Sequence, residues 1–162
     1  MRETKRQTPT GYALFCDDIR LEASGKCIYI GIYMGGEMVI MTDSFPVAIP
    51  SFAIATSYFV DPADAAIPVE IHVYLPGDEE GKPSIKGSSS SGLTLTEDVY
   101  KKCEEDPYLL IGIAGHMQFS PFQINCEGKI KVYAVRGGEL TRLGTLNVRK
   151  APPQTPGGPP AT

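Results

Sequence analysis

The chain has 162 residues, 19 of them acidic and 15 basic, for a formal charge of −4. That length holds one domain with a core of its own and, once its polar and proline-rich ends are set aside, is short for two. Ordinary apolar content excludes a wholly disordered chain, and 17 glycines with 14 prolines point to the many turns of an all-β fold.

Residues 1–11 read as a flexible N-terminal segment, ahead of a single domain over 12–149. Extended apolar runs at 12–21 and 27–34 flank Gly25-Lys26 and predict a hairpin. A turn centred on Ser24-Gly25 sets Leu21 opposite Ile28, Ile19 opposite Ile30, Asp17 opposite Ile32 and Phe15 opposite Met34. Further strands are expected at 37–42 and 52–60. In VEIHVYL, Val69, Ile71, Val73 and Leu75 share one face, and Glu70, His72 and Tyr74 the other. The stretch 76–92, PGDEEGKPSIKGSSSSG, reads as a mobile surface loop. TLTEDVYKKCEED then predicts one short helix across an end of the domain, with Thr94 and Glu97 at capping-box spacing and Pro107 closing it. Strands follow at 109–119, 128–136 and 140–148, and His116, like His72, falls on an outward face. Residues 150–162 are so rich in proline and glycine that they read as a disordered tail. Eight or so strands with regular turn signals make an antiparallel β-sandwich or barrel with one short helix between strands.

The residues that look most like chemistry are Asp17 and Asp18, in FCDDIRLE. Adjacent strand residues point to opposite faces, so a regular strand cannot set the two carboxylates side by side, although a bulge over 16–18 would. We therefore read them as a structural acidic pair: Asp17 taking hydrogen bonds from backbone groups, Asp18 pairing with Arg20. In the same register Cys16 faces Tyr33 and Cys27 faces Glu22, which allows no disulfide between them.

Charge is uneven along the chain. Residues 1–60 carry five basic against six acidic side chains, 61–106 four against eleven, and 107–162 six against two. No dominant basic stretch argues for nucleic acid, no segment has the length and apolarity of a membrane span, and the start is not a signal peptide, so a cytoplasmic protein is expected. The cysteines at 16, 27, 103 and 126 lack zinc-ligand spacing and read as reduced thiols, with Cys103 at a helix end that disfavours a thiolate. Asp61 and Asp64 before the strand at 69–75, and Asp78, Glu79 and Glu80 after it, are candidate calcium ligands, but one strand puts the two loops at opposite ends. Solvated turns are the simpler reading. His72 and His116 can pair only if their strands are neighbours, and the serines at 88–91 read as linker more than as phosphorylation sites. No GxSxG, Walker, dinucleotide or HExxH pattern occurs, so no catalytic residue, cofactor or metal is assigned.

The hairpin ALFCDDIRLEASGKCIYIGIY, the run FPVAIPSFAI and the closing PFQINCEGKIKVYAVRGGELTRLGTLNV together resemble a family of small uncharacterised bacterial and phage-associated domains. The resemblance covers about residues 12–148 and implies an immunoglobulin-like β-sandwich with no activity to carry over. The expected function is a non-enzymatic protein-binding or assembly module with a protein partner. It would act through an exposed strand edge or through the loop bearing Asp78, Glu79, Glu80 and Lys82. The alternatives are a calcium-dependent lipid- or carbohydrate-binding domain and a hydrolase using Asp17 or Asp18.

Overall fold

A computed structural model of the chain describes residues 7–89, 93–106 and 108–153. The expected tail beyond 153, Pro107 and the end of the serine run at 90–91 lie outside the described residues. In chain order the elements are β1 (Thr10–Cys16), β2 (Asp18–Leu21), β3 (Cys27–Ile30), β4 (Glu37–Ile40), β5 (Val47–Ile49), β6 (Phe52–Val60), β7 (Val69–Tyr74), β8 (Ile85–Ser89), α1 (Glu97–Glu105), β9 (Ile111–Phe119), β10 (Phe122–Ile124), β11 (Gly128–Arg136) and β12 (Glu139–Lys150). The class is all-β, with one α-helix among the described residues.

Two sheets face each other across the main core. One has the order β1-β6-β9 and the other β4-β12-β11-β7-β8. Every pairing is antiparallel except β4 with β12, which is parallel and departs from the expected all-antiparallel arrangement. Alternation places Phe52, Ile54, Tyr58 and Val60 of β6 against Val73, Val132, Ala134 and Leu146 of the larger sheet. Burying each such side chain contributes roughly 1.5–3 kcal/mol. Phe52 is fully buried, with the Phe122 ring stacked 4.6 Å away. Between β11 and β12 the register shifts after Val132, so β12 carries an extra residue, and that residue, Leu143, is buried.

The β2–β3 hairpin forms a third layer over the outside of the small sheet. Ile19 joins Cys16, Ala53 and Ala55 in a second buried cluster, with Cys27 and Tyr29 packed on it. Small side chains at 53 and 55 let the hairpin lie close. Its register differs by one from the sequence expectation: Asp18 opposes Ile30, Ile19 opposes Tyr29, Arg20 opposes Ile28 and Leu21 opposes Cys27. The turn explains the shift. Gly25 N donates to Glu22 O and Gly25 alone takes a positive φ of 81°, so three residues, 23–25, form the loop where the expectation had two. The pairings of Asp17 with Ile32 and Phe15 with Met34 do not form, because the strand ends at Cys16 and resumes at Asp18. Ile28 and Ile30 consequently face solvent.

Three short strands were not legible in advance: β5, β8 and β10. β5 pairs with β10, and each follows a cis X-Pro bond, Phe45-Pro46 and Ser120-Pro121. β8 lies inside the stretch read as a mobile loop and pairs with β7, Ile85 opposite Val73. The helix starts later than its capping box: Thr96, with an extended backbone, is the N-cap, and Leu93 ahead of it donates its N–H to Ala65 O at 2.8 Å. α1 buries none of its residues, so it lies on the surface and does not close an end of the core.

Candidate functional site

β4 is an edge of the larger sheet and β5 pairs with β10 alone, so among the described residues each has one edge without a strand partner. A cleft of about 540 Å³ lies between them, lined by Val39, Met41, Val47 and Ile49 together with Asp17 and Tyr33. Met38 and Ile40 of the run EMVIM point into the core, which turns Val39 and Met41 outward, 45% and 70% exposed. The outward side of β4 and of the residue after it thus leaves Val39 and Met41 uncovered, next to Glu37, whose carboxylate pairs with Arg149.

The polar part of the cleft is built by the break at Asp17. Asp17 N donates to Ile30 O and Tyr33 N to Phe15 O, both at 2.9 Å, which brings 17 and 33 together. The Tyr33 hydroxyl donates to Asp17 Oδ1 at 2.6 Å. Gly31, at φ 68°, leaves room for this carboxylate: a Cβ there would lie 2.0 Å from Asp17 Oδ2. Burial pushes the Tyr33 phenol well above its ordinary value, and the hydrogen bond to Asp17 and that residue's charge push it further. The side-chain partner of Asp17 is thus a phenol, where backbone groups were expected.

Asp18 belongs to a different network. Its Oδ2 lies 3.1 Å from Arg20 Nε, and Gln118 Nε2 donates to its Oδ1 at 3.0 Å and to Ile19 O at 2.8 Å, tying β9 to the hairpin. The strand does break where a bulge could have gathered the pair, yet the break takes the two carboxylates to separate partners. Neither has a histidine beside it: His72 Nε2 sits 2.8 Å from Glu70, and His116 Nε2 sits 3.5 Å from Cys27 Sγ. The two histidines lie on strands of different sheets.

The acidic loops are occupied by their own turns. Asp61 Oδ1 accepts from Ala63 N, and Asp64 is buried with its Oδ2 2.8 Å from Arg136 Nη1. Burial alone would lower the guanidinium's pKa, and the bond to Asp64 with the nearby negative groups more than offsets it. Asp78 accepts from Leu75 N, Ser84 N and Ser84 Oγ at 2.8, 2.9 and 2.6 Å. Burial pushes its carboxyl up, but these hydrogen bonds outweigh that and leave it below its ordinary value. Glu79 pairs with Lys82. The segment read as mobile is thus tied at Asp78 and paired at 85–89. Glu80 lines a second cleft, about 660 Å³, on the outer face of the larger sheet with Tyr74, Tyr133, Lys129 and Lys131. Among the described residues no three His, Cys, Asp or Glu side chains converge as a metal site, so the calcium ligands read from these loops do not come together. No described helix is long and apolar enough to cross a membrane.

Sequence reasoning missed Tyr33, Val39, Met41, Val47 and Ile49. The available signal was the four-residue apolar run MVIM, which lacks the polar alternate residues of a strand with one solvated face. No family model matches the chain, and neither a curated protein nor a solved structure is detectably similar to it.

Proposed function

We propose that the chain is a non-enzymatic protein-binding module, an immunoglobulin-like sandwich related to the small bacterial and phage-associated domains, which takes up an extended segment of a partner protein between β4 and β5. The observation that supports this reading is the pair of unpartnered strand edges flanking an apolar, solvent-open cleft. Edges of this kind offer backbone donors and acceptors to an incoming strand, and the side chains beside them select alternate residues of that strand. Val39 and Met41 suit apolar side chains, and the Asp17 carboxylate suits a basic one. Docking through the 76–92 loop has less support, since Glu79 is paired with Lys82 and Asp78 is taken up by Leu75 N and Ser84.

The test is selection of random peptides displayed on phage against the full chain. Peptides with alternating apolar residues and a lysine or arginine are expected. Their affinity should fall by about tenfold or more in Val39→Lys and Met41→Lys, the loss of one or two buried apolar contacts. It should be unchanged in Glu79→Lys with Glu80→Lys. Val39 and Met41 are exposed, so both variants should keep the native circular dichroism. No enrichment, or enrichment indifferent to residues 39 and 41, would remove the reading.

A further inference from the structure

Outside the cleft, a second group of side chains converges where β3 crosses the outer face of the small sheet. The inner face of the hairpin carries Cys27, and the outer face of β9 carries His116, opposite Ala55 in the ladder. Cys27 Sγ and His116 Nε2 are 3.5 Å apart although 89 positions separate them in the chain. Cys27 is partly buried against the cluster of Cys16, Ile19, Ala53 and Ala55, while His116 is open to solvent. Tyr29 lies on the same side of the hairpin. Burial raises its phenol above the ordinary value and the adjacent Cys27 adds to the rise, which keeps Tyr29 a hydroxyl donor beside the sulfur. A thiol with a ring nitrogen and a hydroxyl around it, on an apolar floor with one open side, is the arrangement of an activated nucleophile.

We propose that Cys27 is a modification site, a nucleophilic thiol assisted by His116 that forms mixed disulfides with small, uncharged disulfides. The Cys27 proton passes to His116 Nε2, and Sγ attacks one sulfur of the incoming disulfide. The S–S bond breaks as the new Sγ–S bond forms, and the departing thiolate takes the proton back from His116 and leaves as a free thiol. Oxidation of Cys27 is balanced by reduction of the leaving half, so no further reactant enters. The apolar surroundings, Tyr29 and Leu14 among them, set the preference for an uncharged reagent.

The other cysteines are internal comparisons. Cys16 is fully buried, its thiol pushed up by burial and by the Asp17 charge and directed at Asp18 O 3.5 Å away. Cys103 and Cys126 are partly exposed, as Cys27 is, and the only other histidine in the chain has its Nε2 on Glu70.

The full chain is treated with limiting 4,4′-dithiodipyridine, and the modified cysteines are identified by mass spectrometry over time, folded and in guanidinium. In the folded chain Cys27 should react about tenfold or more faster than Cys103 and Cys126, and in guanidinium the advantage should vanish. His116→Asn, a change at an exposed position, should remove most of the advantage without altering the melting curve. Cys27→Ser should abolish the fast phase. Equal rates at 27, 103 and 126 in the folded chain, or a fast Cys27 indifferent to His116→Asn, would overturn the proposal.

Discussion

Tyr33 joins three features: the strand break at Asp17, the edge of the core beside Phe52, and the wall of the cleft. Its contribution is testable through pH. The folded chain holds the phenol proton more tightly than the unfolded chain, for which the ordinary value is about 10. Below that value the phenol is protonated in both states and the stabilisation is fully present. Above it the unfolded chain ionises first, so stability is lost as pH rises toward the higher folded value. Tyr33→Phe removes this loss together with the hydrogen bond. The variant should be about 1 kcal/mol less stable near neutrality, and that gap should narrow from about pH 10 upward. Urea midpoints of both chains at about pH 8 and about pH 11 check this. Cys16 and Tyr29 are shifted in the same direction but are common to both chains, so the difference isolates Tyr33. A gap that stays constant would mean that the bond does not hold the phenol proton.

Among the elements, the turn before β7 is fastened to the end of β11 by one buried ion pair, with the Arg136 and Asp64 side chains 8% and 3% exposed. Removing one partner of such a pair leaves the other charge stranded, which costs about 3 kcal/mol. Asp64→Asn should therefore lower the urea midpoint by that equivalent, while Asp64→Leu with Arg136→Met should restore most of it. A calcium-site reading of Asp64 expects loss of ion binding with the fold kept, so an Asp64→Asn chain that folds normally would speak against the structural role. The pattern of these elements explains what was legible. β7 and β11 run six residues or more and bury one face, so their period of two showed in the sequence, whereas β6 showed as a long apolar run because both of its faces are covered. β5, β8 and β10 have three to five residues, too few for a period, and lean on neighbours that the sequence does not reveal. The hairpin was found but misregistered, because one glycine's φ decides whether two or three residues turn the chain.

For the molecule as a whole, long-range pairing decides both the fold and the candidate site. β12 is the last strand described, yet it lies inside the larger sheet between β11 and β4 and supplies Leu143, Leu146 and Val148 to the core. Among the described residues β4 has no other partner strand, so the cleft wall carrying Val39 and Met41 exists only once β12 is in place, and the opposite wall needs β10. That is why the site could not be read along the chain: residues 17 and 33 meet across the opening hairpin, while 39–41 and 47–49 share no motif with them and are placed by pairings with strands about 75 to 110 positions away. Ending the chain at Gly138 should remove the β12 share of the core and leave β4 unpaired, giving no cooperative thermal transition and strong binding of a hydrophobic dye. Replacing Glu97–Glu105 with a glycine-serine linker of equal length is the contrasting variant, since α1 has no fully buried residue. Its melting temperature should stay within a few degrees of the parent, on the scale of about 4 °C or less per kcal/mol for a chain of this size. Circular dichroism melts of the three chains decide the matter: a cooperative transition in the chain ending at Gly138 would mean that the remaining strands close the core without β12.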